Sequence, residues 1–185
     1  MDIQAGSGGS IIAPFINAGT ITTASAGVHF LGTGFTNQGT LTETAGDVLI
    51  SGGSVTNTGT VSVSAGAKLE IYSNDISNTG SIAVAAGAKL QVDQDTSLAR
   101  LGNTGGGGAL LLGGKLDLSG GTLDLNAPGG FGSVGLTKAG SAISNGTIHE
   151  GRSVISIAGG TTLTNVAITT QGGTVVSTAA LADTG

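Results

Sequence analysis

Apolar and polar positions alternate along this chain in short runs. After each Ala-Gly pair come Val28-His29-Phe30, Val48-Leu49-Ile50, Leu69-Glu70-Ile71 and Leu90-Gln91-Val92. A period of two is the mark of strands, whose successive side chains point to opposite faces. The alignment predicts one inward stack from Val28, Val48, Leu69 and Leu90 and a second from Phe30, Ile50, Ile71 and Val92. His29, Leu49, Glu70 and Gln91 then point outward. The same logic sends Ile21, Leu41, Val61 and Ile82 inward on another strand, and Phe15, Phe35, Val55 and Ile76 inward on a third short one. Three short strands per turn give a roughly triangular cross-section.

The runs belong to a repeat. Phe15-Ile16-Asn17-Ala18-Gly19-Thr20-Ile21 returns as Phe35-Thr36-Asn37-Gln38-Gly39-Thr40-Leu41, as Val55-Thr56-Asn57-Thr58-Gly59-Thr60-Val61 and as Ile76-Ser77-Asn78-Thr79-Gly80-Ser81-Ile82. A period of about twenty residues means a solenoid, in which no repeat buries its apolar face alone. The expected fold is all-β: a parallel β-helix forming a single segment over residues 1–185. Its regular turns cover 15–121 and 142–176, with an irregular stretch at 122–141. Eight or nine turns at about 4.8 Å each give a rod roughly 40 Å long.

The fifth turn is stretched. Leu101-Gly102-Asn103-Thr104-Gly105 aligns with Ile76-Ser77-Asn78-Thr79-Gly80, and Gly114-Lys115-Leu116-Asp117-Leu118 aligns with Ala88-Lys89-Leu90-Gln91-Val92. The excess, Asp93 to Arg100, is expected as a loop on the wall. Ala127-Pro128-Gly129-Gly130 reads as a turn. The pattern recovers at Ile143-Ser144-Asn145-Gly146-Thr147-Ile148 and at Leu163-Thr164-Asn165-Val166-Ala167-Ile168.

The repeated asparagine has a structural role open to it. Asn tolerates left-handed geometry at a corner, and stacked Asn amides hydrogen-bond along an axis. Asn17, Asn37, Asn57, Asn78, Asn103, Asn145 and Asn165 are therefore expected to form a ladder, with the adjacent glycines supplying a tight bend.

Composition removes several classes of function. Low charge with 36 Gly would suit a disordered chain, but 38% hydrophobic residues in strict alternation do not. Six Lys+Arg against a net charge of −5 leave no footprint for nucleic acid or anionic membranes. No apolar run is long enough to span a bilayer. Met1 to Gly6 has neither a basic region nor an apolar core, so it does not read as a signal peptide. With no Cys the chain needs no redox compartment.

The units FTNQGTLTETAGDVLISGG, VTNTGTVSVSAGAKLEIYSND and ISNTGSIAVAAGAKLQVDQDT resemble repeats of large secreted bacterial surface proteins, namely autotransporter passengers and filamentous-haemagglutinin-like adhesins. The resemblance covers residues 15–121 well and 142–176 loosely, and it carries no catalytic signature. It implies a right-handed parallel β-helix (a β-solenoid) that is a segment of a protein on the surface of a Gram-negative bacterium, or secreted from it. It also implies contact with a glycan or protein on a host or neighbouring cell.

Candidate chemistry is sparse. Gly130-Phe131-Gly132-Ser133-Val134-Gly135 satisfies the dinucleotide-binding glycine pattern, but no helix follows to face a pyrophosphate. Gly105-Gly106-Gly107-Gly108 lacks the Lys-Ser/Thr ending of a phosphate loop. The tandem Gly-Gly-x-Gly-x-Asp pattern of calcium-binding β-rolls is missing. Asp75, Asp93 and Asp95 could offer oxygens to Ca²⁺ or a glycan, although three carboxylates without a glycine-fixed loop read first as a solvated bulge.

His29 and His149 are too far apart along the rod to share a metal or a triad. His149-Glu150-Gly151-Arg152 is the densest polar cluster, and its Glu-Arg pair reads as a surface ion pair. Asp117 and Asp124 alternate with leucines and do not make the facing carboxylates of a glycosidase. Lys68, Lys89 and Lys115 are expected in one outward row, with Glu70, Gln91 and Asp117 in the next. Thr20/Thr22, Thr40/Thr42 and Thr60/Ser62 form a hydroxyl array that fades at Ser81/Ala83.

The leading expectation is a structural or adhesive stalk with no enzymatic activity, no cofactor and no metal. An ice- or glycan-binding solenoid and a β-helical carbohydrate-active enzyme are the alternatives. End-to-end self-association is expected as well, because Val175 to Leu181 is apolar and carries no charge to protect a strand edge.

Overall fold

The computed structural model describes residues 9–24 and 27–177. The inward columns set the architecture. Val28, Val48, Leu69, Leu90, Leu110, Val134, Ile155 and Val175 stand above one another in register. Beside them run Phe30, Ile50, Ile71, Val92, Leu112, Leu136, Ile157 and Ser177. Every pairing along this wall is parallel, since the chain always winds the same way. The result is a parallel β-solenoid of about 8 turns.

The first wall runs Ser10–Ile11, Val28–Asn37, Asp47–Asn57, Lys68–Tyr72, Lys89–Val92, Ala109–Leu112, Ser133–Leu136, Val154–Ile157 and Thr174–Ser177. Val28–Asn37 and Asp47–Asn57 turn the corner and continue into the second wall, where Phe15–Asn17 and Ile76–Asn78 join them. The third wall stacks Thr20–Thr23, Thr40–Glu43, Thr60–Val63, Ser81–Val84 and Asn103–Gly105. Further along the rod, Thr96–Ser97, Lys115–Asp117, Ala142–Gly151 and Thr162–Thr170 continue the second wall, and Thr122–Asp124 pairs with the far half of Ala142–Gly151.

The interior is apolar and closely filled. Leu69, Ile71, Leu90, Leu110 and Ile143 are fully buried, each contributing about 1.5–3 kcal/mol relative to exposure. At one end Phe15, Phe30 and Phe35 meet with ring centroids 4.9–6.0 Å apart.

Two kinds of glycine shape the corners. Gly46, Gly66 and Gly87 of the Ala-Gly pairs have φ of 82–84°, the left-handed geometry of a tight corner. The glycines after each Asn differ. A Cβ on Gly59 would lie 2.0 Å from the Gly39 carbonyl oxygen, so close stacking of backbones, rather than a bend, demands Gly there.

The fifth turn departs from the expected alignment. Lys89 pairs with Ala109, and Leu110 and Leu112 fill the two inward columns. Lys115–Asp117 instead pairs with Thr96–Ser97 on the second wall. Lys115 and Asp117 therefore leave the charged rows, which hold Lys68 beside Lys89 and Glu70 beside Gln91. The expected loop from Asp93 to Arg100 contains the strand Thr96–Ser97 and leads into a single helical turn, Leu98–Leu101, capped by Ser97.

Residues 122–141 supply ordinary rungs as well as the turn at Ala127 to Gly130, where Gly130 N–H donates to the Ala127 carbonyl. Ala26, Met1 to Gly6 and the stretch of the apolar edge beyond Ser177 lie outside the described residues.

Candidate functional site

The asparagines divide into two groups. Asn17, Asn37, Asn57 and Asn78 are buried, and each Nδ2 of the first three donates to the next Oδ1 at 2.7–2.8 Å. The same amides also reach the Thr40, Thr60 and Ser81 carbonyls of the following turn. None of these four has positive φ, so the ladder and not a left-handed corner accounts for them.

The ladder ends at Asn78, whose amide donates to the Leu101 carbonyl at 2.7 Å. Asn103 is exposed and pairs with Ser81, because the helical turn Leu98–Leu101 takes the place above Asn78. Asn145 and Asn165 are the left-handed pair, with φ of 57° and 53°. They bond each other at 3.3 Å on the surface, apart from the buried ladder.

The three candidate calcium or glycan aspartates are not brought to one point. Asp75 is exposed and pairs with Arg100 at 3.1 Å. Asp95 accepts from the Lys115 backbone N–H at 2.9 Å. Asp93 is buried, with Lys138 Nζ at 2.8 Å and Gln91 Nε2 at 2.9 and 3.0 Å. Burial works to raise its pKa, but hydrogen bonds from Lys138 and Gln91 prevail and hold it below the usual carboxylate value. Among the described residues no group of three His, Cys, Asp or Glu is placed to hold a metal ion.

Asp93 belongs to a charged band along the first wall. Lys68 Nζ lies 2.9 Å from Glu70 and 3.3 Å from Asp47, and its pKa is raised chiefly by the Glu70 hydrogen bond. The band contains facing carboxylates, Glu70 and Asp93, each already bonded to a lysine.

The polar cluster at 149–152 is split by strand alternation. Ile148 is buried, His149 faces outward to Asp124 at 3.1 Å, and Glu150 turns inward and is fully buried. Glu150 is therefore not half of a surface ion pair with Arg152, which is exposed. Glu150 falls where the register shifts between His149 and Gly151, and neither of its carboxylate oxygens has a hydrogen-bond partner.

Asp124 is held below its ordinary value chiefly by the Asn126 backbone N–H, with burial opposing and His149 assisting. Asp117 is lowered by the Ser119 backbone N–H and the Asn145 amide. The two aspartates thus have separate partners.

A second buried acid, Glu43, sits on the third wall. It is 1% exposed, and neither carboxylate oxygen is paired. Its inward position follows from the alternation Leu41-Thr42-Glu43, because the residue two after an inward Leu is inward too. The same spacing from Ile148 marks Glu150. The Thr columns are in register: Thr20, Thr40, Thr60 and Ser81 in one, Thr22, Thr42, Ser62 and Ala83 in the other.

Comparison with known proteins finds no family model, no curated protein and no solved structure that matches this chain.

Proposed function

We propose that this chain is a structural stalk segment of a large bacterial extracellular surface protein, carrying or making adhesive contact with a glycan or protein of a host or neighbouring cell. The observation that carries the reading is the unbroken inward column from Val28 to Val175, reinforced at its beginning by the buried Asn ladder. A parallel stack of this kind transmits load through many backbone hydrogen bonds acting together. Most of the distinctive residues in it serve stacking rather than chemistry. Secretion to the cell surface, the absence of catalysis and end-to-end association of copies are parts of the same proposal.

Single-molecule pulling on the chain between terminal handles tests the mechanical role. The expected record is a series of small, evenly spaced extensions, each the release of one turn, with refolding on relaxation. A single cooperative rupture at low force would overturn it. Protease shaving of intact source cells tests the location, and protection of the chain until lysis would refute a surface position.

The in-register Thr columns favour a second reading, binding to ice or to an ordered glycan. The array stops at Ala83, which limits it to a few turns. Ice-recrystallisation and glycan-array assays separate this reading from the first. A carbohydrate-active role would require two carboxylates across a scissile bond. Glu70 and Asp93 are neighbouring carboxylates, but both are engaged by lysines.

A further inference from the structure

Alternation along the third wall sends one column of residues inward: Thr23, Glu43, Val63 and Val84, paired in register from turn to turn. Val63 and Val84 suit a solenoid core. Glu43 does not, because a carboxylate taken from water needs compensating bonds or charges. Both of its oxygens are unpaired, and so is the buried Thr23 hydroxyl next to it.

The charged groups that face Glu43 come from the first wall: Asp47, which repels a carboxylate, and Lys68, which attracts one. Lys68 is already committed, with its ammonium 2.9 Å from Glu70 and 3.3 Å from Asp47. Thr23 and Val63, on the turns to either side, contribute no charge. The surroundings therefore accept the neutral acid and penalise the anion.

We infer that Glu43 is a proton-operated latch on the first turns of the solenoid: protonated, it packs as a core residue between Thr23 and Val63, and deprotonated, it drives those turns open. Burial pushes this acid up to about 8. The Val48 and Lys68 backbone N–H groups lie near enough to oppose the rise without completing a hydrogen bond to either oxygen, Asp47 adds to it, and the charge of Lys68 opposes it. An opened turn would release the proton at the ordinary value near 4.5. Between those two values opening liberates a proton, so the closed turns lose stability as pH rises and are most secure on the acid side. Above about 8 the loss is complete and levels off.

Hydrogen exchange of the full chain, followed peptide by peptide and corrected for intrinsic pH effects, tests the latch. Protection of residues 20–23, 40–43 and 60–63 should fall about tenfold per pH unit between about 4.5 and about 8, then plateau. Protection of 133–136 should not follow that course. Glu43→Gln should remove the pH dependence in the first turns, and Glu43→Val, which copies Val63 and Val84, should remove it and raise protection. The same fall in Glu43→Gln and in Glu43→Val would overturn the latch. So would a ¹³C carboxyl titration of wild-type protein showing Glu43 ionised near its ordinary value. That titration decides the matter even if Glu43→Gln fails to fold.

Discussion

The Asn37 amide donates to the Asn57 carboxamide oxygen at 2.7 Å, and both side chains are buried at the same corner of successive turns. Asn57 in turn donates to Asn78 at 2.8 Å and to the Ser81 carbonyl at 3.1 Å. Each amide is thus both donor and acceptor, whereas the carboxylate of Asp, the same shape, would only accept.

Removing one member should therefore break bonds on both sides. Asn57→Ala leaves the Asn37 donor and the Asn78 acceptor without their partner, at a cost of about 2–4 kcal/mol. Asn103→Ala, at an exposed site outside the ladder, should cost under about 0.5 kcal/mol. Urea denaturation of the two variants checks the contrast, and equal losses would mean that the ladder adds nothing.

The inward columns make a second contrast between sequence neighbours. Leu90 is fully buried, whereas Lys89 is exposed beside it. Leu90→Ala should cost about 2–5 kcal/mol. Lys89→Ala should stay within about 0.5 kcal/mol. Thermal melts that shift equally would show the strand turned over.

These columns were legible in the sequence because period two and period twenty agree there: Val28, Val48, Leu69 and Leu90 repeat with little change in their surroundings. The fifth turn was harder to read. Lys115-Leu116-Asp117 imitates Lys89-Leu90-Gln91 in composition, yet register is fixed by distance along the chain, which sets Ala109 over Lys89. The helical turn Leu98–Leu101 then displaces Asn103 from the corner where its neighbour pattern would place it.

The buried acids were present in the alternation but were masked by their chemistry. Glu43 occupies the column of Val63, and Glu150 stands two after Ile148. A charged residue in a hydrophobic column is easily taken for surface. Their distinctive burial emerges only when the inward rule is applied to polar residues as strictly as to apolar ones.

A third prediction concerns acid. Asp93 is held below 3.8 by Lys138 and Gln91 in spite of its burial. A depressed folded value contributes stability above the ordinary value, and that stability is lost as pH falls through the folded value. Glu43 has the opposite sign, losing stability as pH rises from about 4.5 to about 8. Together they place the optimum in mild acid, at about pH 4–5. Lys138→Met should lower stability at neutral pH by about 1–3 kcal/mol, because Asp93 stays buried with fewer partners. Asp93→Asn should flatten the acid limb of the melting profile. An unchanged acid limb would remove Asp93 from the account.

A fourth prediction addresses catalysis through the carboxylates that come nearest to a site. If the lysine bonds to Glu70 and Asp93 are structural, the protein should turn over no polysaccharide, and Asp93→Asn should change stability alone. Reducing-sugar release across a substrate panel provides the measurement. Release that disappears in both Asp93→Asn and Glu70→Gln would establish an enzyme.

The last prediction separates the two glycine roles. Gly59 has no positive φ, and its obstacle is steric, since a Cβ would lie 2.0 Å from the Gly39 carbonyl oxygen and 2.8 Å from the Gln38 carbonyl carbon. Backbone cannot yield there without separating two turns that share hydrogen bonds from Gly59 and Thr60 to Asn37 and Gly39. Gly66 has φ of 84° but open space around its added Cβ. Its substitution meets only the conformational penalty of a left-handed residue, about 1–2 kcal/mol. Gly59→Ala should therefore cost well over about 3 kcal/mol or prevent folding, as forced overpacking against backbone does. Gly66→Ala should fold and melt only modestly lower, and Gly66→Asn lower still less, because Asn accepts left-handed geometry. Circular dichroism and thermal melts of the three variants decide it. A Gly66→Ala chain as damaged as Gly59→Ala would mean that backbone conformation, and not the contact between stacked turns, governs both corners.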